Sequence, residues 1–206
     1  MMREFYRRHV FPRLCDAILG RPFLDRYRRD LLAGAHGAVL EIGFGTGLNL
    51  PFYPEDVRRI MTVDPNPGMS RLARRRLERT GKAVEQHVLS GEALPFADGT
   101  FDTIVSTFTL CSIDQVEKAL QEVCRVLRPG GWFLFLEHGL SPDPGVQKWQ
   151  CRLNWLEQRL ADGCRLDRNI RQLVATAPFR AVECAEGYVE KTPRTHGYLY
   201  RGAATR

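Results

Sequence analysis

The sequence is poor in the signals that would place it outside ordinary folded proteins. None of its six cysteines, Cys15, Cys111, Cys124, Cys151, Cys164 and Cys184, forms a C-x-x-C pair. The local spacing therefore gives no zinc site, and no metal is expected. No apolar run approaches the roughly 18–20 residues of a membrane helix. Low-complexity tracts and internal repeats are absent, and no linker separates a second domain. The first 20 residues are Arg-rich, but they carry Glu4 and Asp16 and lack both an unbroken apolar stretch and a small-residue cleavage site. A signal peptide is not expected, and the cysteines read as reduced thiols in the cytoplasm. At 206 residues and 44% apolar content the chain suits one domain with one sizeable core. The formal charge is +6, with Arg dense at Arg26 to Arg29 and Arg71 to Arg79. Two readings stay open: solvated helix faces, or attraction to anionic lipid or an acidic substrate. No basic-aromatic module supports nucleic-acid binding.

What is present is alternation. Val10, Leu14 and Ile18 recur every four residues beside Phe11 and Cys15, one helical stripe that breaks at Gly20 to Pro22. A second helix is expected from Phe23 to about Ala33. Strands are expected at Ala38 to Ile42, Arg59 to Val63, Val84 to Leu89, Phe101 to Ser106 and Trp132 to Glu137. Between them lie a helix beginning near Leu48, one from Met69 to Thr80 with Pro67 at its start, and one from Val116 to Leu127. Beyond Glu137 come helices Val146 to Leu160 and Asn169 to Thr176, then strands Phe179 to Tyr188 and Tyr198 to Ala203. Strands alternating with helices imply βαβ crossovers and a parallel sheet.

The densest motif is Glu41-Ile42-Gly43-Phe44-Gly45-Thr46-Gly47, a strand running into a glycine-rich turn. Glycines there permit backbone angles closed to other residues and let the main chain approach a ligand. The next strand ends in Asp64, followed by Pro65 and Asn66. An acid in that place can accept hydrogen bonds from both hydroxyls of a ribose. The loop departs from the dinucleotide pattern G-x-G-x-x-G, whose helix start faces a pyrophosphate. The acidic Glu41 suits a cationic sulfonium and an amino group better.

Residues 39–50 resemble motif I of class I S-adenosylmethionine-dependent methyltransferases, and Asp64 resembles the acid that follows it. The stretches Gly91 to Phe96, Asp98 to Asp102 and Arg125 to Gly131 are similar to further motifs of that group. The resemblance implies an α/β Rossmann-like fold: a seven-stranded, mostly parallel sheet flanked by helices. It also implies S-adenosyl-L-methionine as cofactor. Asp64 would hold the ribose, main chain at Gly91 and Glu92 would meet the adenine, and Ser106 and Thr107 would border the methionine end. Many relatives place Asp where Ser90 or Gly91 stands, which shifts the adenine contact onto main chain and Glu92.

Past the shared core, Phe135 to Gly139, Trp149-Gln150, Trp155, Asp162-Gly163-Cys164 and Arg168 resemble one subgroup, as do Phe5-Tyr6, His9 and Thr107 to Ser112. It is the methyltransferase-like protein 7 family, whose animal members are membrane-associated thiol S-methyltransferases. The expected organisation is a helical lid over 1–35, a cofactor core over 36–137 and a substrate side over 138–206. His138 follows the fifth strand at the ligand-binding edge of the sheet, and it is a candidate base or substrate contact. Tyr6 and His9 are candidates on the lid; structural roles stay open for all three. Cys164 reads as a buried small side chain, and core packing is expected for Trp149 and Trp155. The implied activity is methyl transfer to a small-molecule acceptor, with thiol sulfur favoured. Phospholipid N-methylation, quinone-type C-methylation and a non-catalytic binding protein are alternatives. Peripheral membrane contact is compatible with the basic charge, and the sequence sets no oligomeric state.

Overall fold

The computed structural model describes residues 2–206. Its centre is a seven-stranded sheet in the order β3-β2-β1-β4-β5-β7-β6. The strands are β1 Val39–Ile42, β2 Arg59–Val63, β3 Ala83–His87, β4 Phe101–Thr107, β5 Leu127–His138, β6 Ala181–Tyr188 and β7 Tyr198–Thr205. The first five are parallel, and β7 runs antiparallel between β5 and β6. The expected mostly parallel sheet is therefore present. Its strand order reverses between β1 and β4, where open α/β sheets bind ligands.

Alternation along the strands feeds two cores. Ile104, Phe133 and Phe135 pack on one face with Leu120 and Val123 of α5 Val116–Val126 and Val174 of α7 Ile170–Thr176. Val105, Leu134 and Leu136 pack on the other with Leu31 and Leu32 of α3 Asp25–Leu32 and Ala73 of α4 Pro67–Thr80. A sheet covered on both faces needs near-continuous apolar strands, and β1 is buried at all four positions.

Two local expectations fail. No α-helix follows the glycine-rich turn: Gly47 has φ +77°, and Pro51 and Pro54 deny the backbone donors a helix needs. A single 3-10 turn, Leu50–Phe52, leads to β2 instead. The fifth strand starts at Leu127 rather than Trp132, because the Pro129-Gly130-Gly131 stretch bulges against β4 without breaking the pairing.

The N-terminal segment is one nearly continuous helix: α1 Met2–Phe5, a π-helical turn Tyr6–Val10 and α2 Phe11–Leu19. It lies against α4 at close range. A Cβ on Gly68 would sit 2.3 Å from the carbonyl oxygen of Arg8, so glycine is required there. On the far side, α6 Pro144–Leu160 runs beside the same segment, and Tyr6 donates from its hydroxyl to the Leu160 carbonyl at 2.7 Å.

Candidate active site

A cavity of about 1020 Å³ opens at the carboxyl ends of β1, β2 and β4, under the N-terminal helix. It lies at the upper end of the size that small-ligand sites reach, roughly 300–1,000 Å³. Its floor is the glycine-rich turn. Glu41, Gly43, Gly45 and Thr46 line it, followed by Asp64, Pro65 and Asn66, with Gly91, Glu92 and Thr107 on the next strands' loops. Ten of the twelve expected cofactor residues thus share one cavity. Gly47 and Ser106 do not line it. Gly47 turns the chain under Phe44 and Leu50, and Ser106 is buried, donating to Glu137 Oε1 at 2.7 Å.

The carboxylate of Asp64 is aimed by the backbone. Gly45 N donates to Oδ2 and Asn66 N to Oδ1, each at 2.8 Å. Burial pushes the acid up to about 6, against those two bonds. Each oxygen keeps a lone pair for a further donor. Gly43 and Gly45 differ in purpose. A Cβ at Gly43 would sit 1.9 Å from Thr109 Oγ1, whereas Gly45, at φ +57°, meets only the Gly43 carbonyl at 3.8 Å. Gly43 closes a packing contact, and Gly45 keeps the cavity floor bare.

Glu41 is buried and already engaged. Tyr53 donates to it at 2.7 Å and Asn49 Nδ2 at 2.9 Å. Burial raises its carboxyl to about 7, against those bonds and nearby Arg28. Glu92 accepts from the Gln115 amide at 2.8 Å at the start of α5, so its side chain fixes a helix end.

Two residues that the sequence reading passed over have unmet bonding capacity in the cavity wall. Arg28 is 1% exposed, and its Nε and Nη1 have no hydrogen-bond partner. Its Nη1 lies 3.9 Å from Asp25, and its guanidinium sits over the Phe108 ring. Asn49 is likewise buried, with Oδ1 unpaired. Both line the cavity. Unmet buried groups cost about 1–3 kcal/mol each, more when charged. A donor pair and an acceptor at one end suit an amino-acid carboxylate and ammonium, and Asp64 suits a ribose. The residues present therefore fit S-adenosylmethionine. The only sequence signal for Arg28 was an Arg-rich helix turn, indistinguishable from a solvated one.

The lid closes over this site by side-chain latches. Arg3, Arg7, Phe11, Cys15 and Leu19, spaced by four, line the cavity. The π-helical turn holds more residues per turn than an α-helix and helps keep that spacing on one face. Asp16 Oδ1 accepts from Thr46 Oγ1 at 2.5 Å and Arg76 Nη1 at 2.7 Å. Arg7 Nε donates to Asp162 Oδ1 at 2.5 Å, and Asn66 Nδ2 reaches both Asp162 Oδ2 and the Arg7 carbonyl.

Tyr6, His9 and His138 are not among the cavity-lining residues. Tyr6 turns toward α6 and His9 packs on Phe5 with ring centroids 4.8 Å apart. His138 lies behind the wall, with Nε2 3.0 Å from Cys164 Sγ. Cys164 is buried, as expected, but bonded rather than merely packed. Trp149 and Trp155 contradict the expectation of core packing: they are 57% and 62% exposed. The buried face of α6 instead carries Val146 and Gln150, and Trp155 borders the cavity.

A family model described as a methyltransferase domain matches residues 40–135. Human thiol S-methyltransferase TMT1A is 39% identical over 153 residues, 71% of this chain and 62% of that protein, so the chain spans under two thirds of that relative. Rat thiol S-methyltransferase TMT1B is 35% identical over 188 residues, 84% of this chain and 76% of that protein. Among solved structures, an S-adenosylmethionine-dependent methyltransferase of Thermotoga maritima, a possible histamine N-methyltransferase, superposes with a TM-score of 0.67 at 19% identity. All of both chains is covered, which supports the fold. By its matching residues and its sheet, the chain belongs to the methyltransferase-like protein 7 (thiol S-methyltransferase) family of class I S-adenosylmethionine-dependent methyltransferases.

Proposed function

We propose that this chain transfers the methyl group of S-adenosylmethionine to the sulfur of a small-molecule thiol. When bound, the cofactor supplies a methyl group already activated for in-line displacement. In this reading Asp64 accepts from the ribose hydroxyls, Arg28 takes the methionine carboxylate, and Asn49 Oδ1 takes the ammonium. Main chain at Gly91 and Glu92 meets the adenine, and Thr107 borders the methionine end. The latched lid excludes water.

The observation that carries the choice of acceptor is the chemistry of the remaining wall. Phe11, Leu19, Phe108, Ile113 and Trp155 are apolar, and no imidazole lines the cavity among the described residues. Of the lining carboxylates, Glu41, Glu92 and Asp162 are hydrogen-bonded to protein groups, Asp64 is taken by the ribose in this reading, and Asp114 is exposed. Thiols ionise near pH ~8.5, so some thiolate is present at neutral pH, while alkylamines, near ~10.4, must be deprotonated in the site. An apolar wall without an imidazole favours sulfur, which needs the weaker base. The test is labelled methyl transfer to alkyl and aryl thiols, phosphatidylethanolamine vesicles and quinols in parallel. Turnover of thiols supports the reading. Turnover of vesicles or quinols alone replaces it, and tight cofactor binding with no acceptor turned over makes the chain a binding protein.

We also propose a peripheral membrane contact for a protein of the cytoplasm. Met2, Phe5, Trp155 and Leu160, each more than half exposed, lie on the lid and the neighbouring α6, with Arg3, Arg8 and Arg159 on the same segments. Apolar side chains with basic neighbours suit an anionic lipid surface. Co-sedimentation with anionic but not neutral vesicles, weakened by salt, is the expected result; equal recovery with neither would remove the contact.

A further inference from the structure

Behind the cavity wall the fold gathers three side chains that the methyl-transfer reading does not use. Cys111 lies in the loop after β4, His138 ends β5, and Cys164 follows α6. The Nε2 of His138 lies 3.0 Å from Cys164 Sγ, and the two sulfurs are 3.4 Å apart. All three potential ligand atoms lie within 4.8 Å of one another. Cys111 is 1% and Cys164 6% exposed. We propose that Cys111, Cys164 and His138 form a binding site for a thiophilic divalent cation, Zn2+ in the first instance.

The donor set is the first argument. Two thiolates and one imidazole are the ligands zinc takes in tetrahedral sites, leaving one position for water or a further group. Zn–S near 2.3 Å and Zn–N near 2.0 Å place such ligand atoms roughly 3.5–3.8 Å apart. The two short separations, 3.0 and 3.4 Å, fall below that range by roughly half an ångström or less, and all three atoms lie within 4.8 Å. The second argument is seclusion: the sulfurs are buried, and the Nε2 of His138 faces them with no hydrogen-bond partner outside the cluster, so a cation would displace only a contact within it. On binding, the two cysteines form bonds to the cation as thiolates and release the protons that they carried as thiols. The charge of the ion is then balanced within the cluster.

Its position gives the site a consequence. Ser112, beside Cys111 in the chain, and Gly163, beside Cys164, both line the cavity. A Cβ on Gly163 would already lie 3.3 Å from the Ser112 carbonyl. Arg168 reinforces the same loop by donating to the carbonyls of Leu110 and Ile113. A cation on the three ligands would join the β4 loop, the end of β5 and the segment after α6, fixing two walls of the acceptor space.

The test uses the full chain, reduced and stripped with a chelator, titrated with Co2+ and then Zn2+ in the absence of any acceptor or cofactor. The expected result is one equivalent bound, a near-ultraviolet thiolate-to-cobalt charge-transfer band, displacement by Zn2+, and proton release into weak buffer. Cys111→Ser and Cys164→Ser should each weaken binding by more than the roughly 10–100-fold that losing a supporting hydrogen bond costs. Cys151→Ser, at an exposed cysteine, should change nothing. Should either variant fail to fold, X-ray absorption on the zinc-loaded wild type decides between two sulfurs plus one imidazole nitrogen and any other set. Absence of the charge-transfer band, a band that survives loss of both cysteines, or ready formation of a Cys111–Cys164 disulfide in place of metal uptake would overturn the proposal.

Discussion

The amide of Gly45 donates to Asp64 Oδ2 at 2.8 Å, tying the glycine-rich turn after β1 to the acid after β2. With the Asn66 amide on Oδ1, this contact sets the direction of the carboxylate against the cavity floor. Asp64→Ala should weaken S-adenosylhomocysteine binding by roughly 10- to 1000-fold, the equivalent of about 1.5–4 kcal/mol. Isothermal titration calorimetry reads this directly, and unchanged affinity would take Asp64 out of the site.

The same residue predicts a pH dependence with two opposite signs. Burial raises Asp64 from 3.8 to about 6 in the empty protein. Between those values the folded state binds more protons than the unfolded one, so this group's contribution to stability falls as pH rises from about 4 to 6. The loss is on the order of 3 kcal/mol for a shift of this size. Cofactor affinity should instead rise over pH 5 to 7, because the ionised carboxylate is the better acceptor. Asp64→Asn should flatten both profiles, measured by urea unfolding and by calorimetry across pH.

Gly43 and Gly45 should separate folding from binding. Gly43→Ala forces a Cβ to 1.9 Å from Thr109 Oγ1 at φ +73°, and should lower Tm markedly. Gly45→Val places its bulk in open cavity and should abolish cofactor binding with a smaller loss of stability, limited to the strain of φ +57°. Thermal melts and calorimetry on both variants check this; tight binding by Gly45→Val would show that the turn serves structure alone.

Arg28→Met should raise the stability of the empty protein while weakening the cofactor. The guanidinium is buried with two nitrogens unpaired, and burial pulls its pKa down, so removing it relieves a cost. If it takes the methionine carboxylate, affinity should fall about 10- to 150-fold, from 1.5–3 kcal/mol of charge-assisted bonding. A purely structural Arg28 would change the melt and leave calorimetry untouched.

Asp16→Ala removes the latch to Thr46 and Arg76. Both members of the Asp16–Arg76 pair are about one-third exposed, so the stability effect should stay within about 1 kcal/mol. The dissociation rate of S-adenosylhomocysteine should rise several-fold, read by stopped-flow fluorescence of the cavity-lining Trp155. An unchanged rate would mean that the N-terminal helix does not gate the site.

The sequence by itself determined the alternation of strands and helices, the bare floor at Gly45 and the acid at Asp64. Each is legible because local rules create it: period-2 and period-3.6 burial, positive φ and strand-end position. Tertiary structure alone decided the antiparallel insertion of β7, the exposure of Trp149 and Trp155 and the unmet guanidinium of Arg28. It alone brought Cys111 to Cys164 across 53 residues and placed His138 against them, where chain spacing offered no C-x-x-C pair. Such juxtapositions depend on which strand ends and loops the sheet order gathers at one edge, and no window of neighbouring residues carries that information.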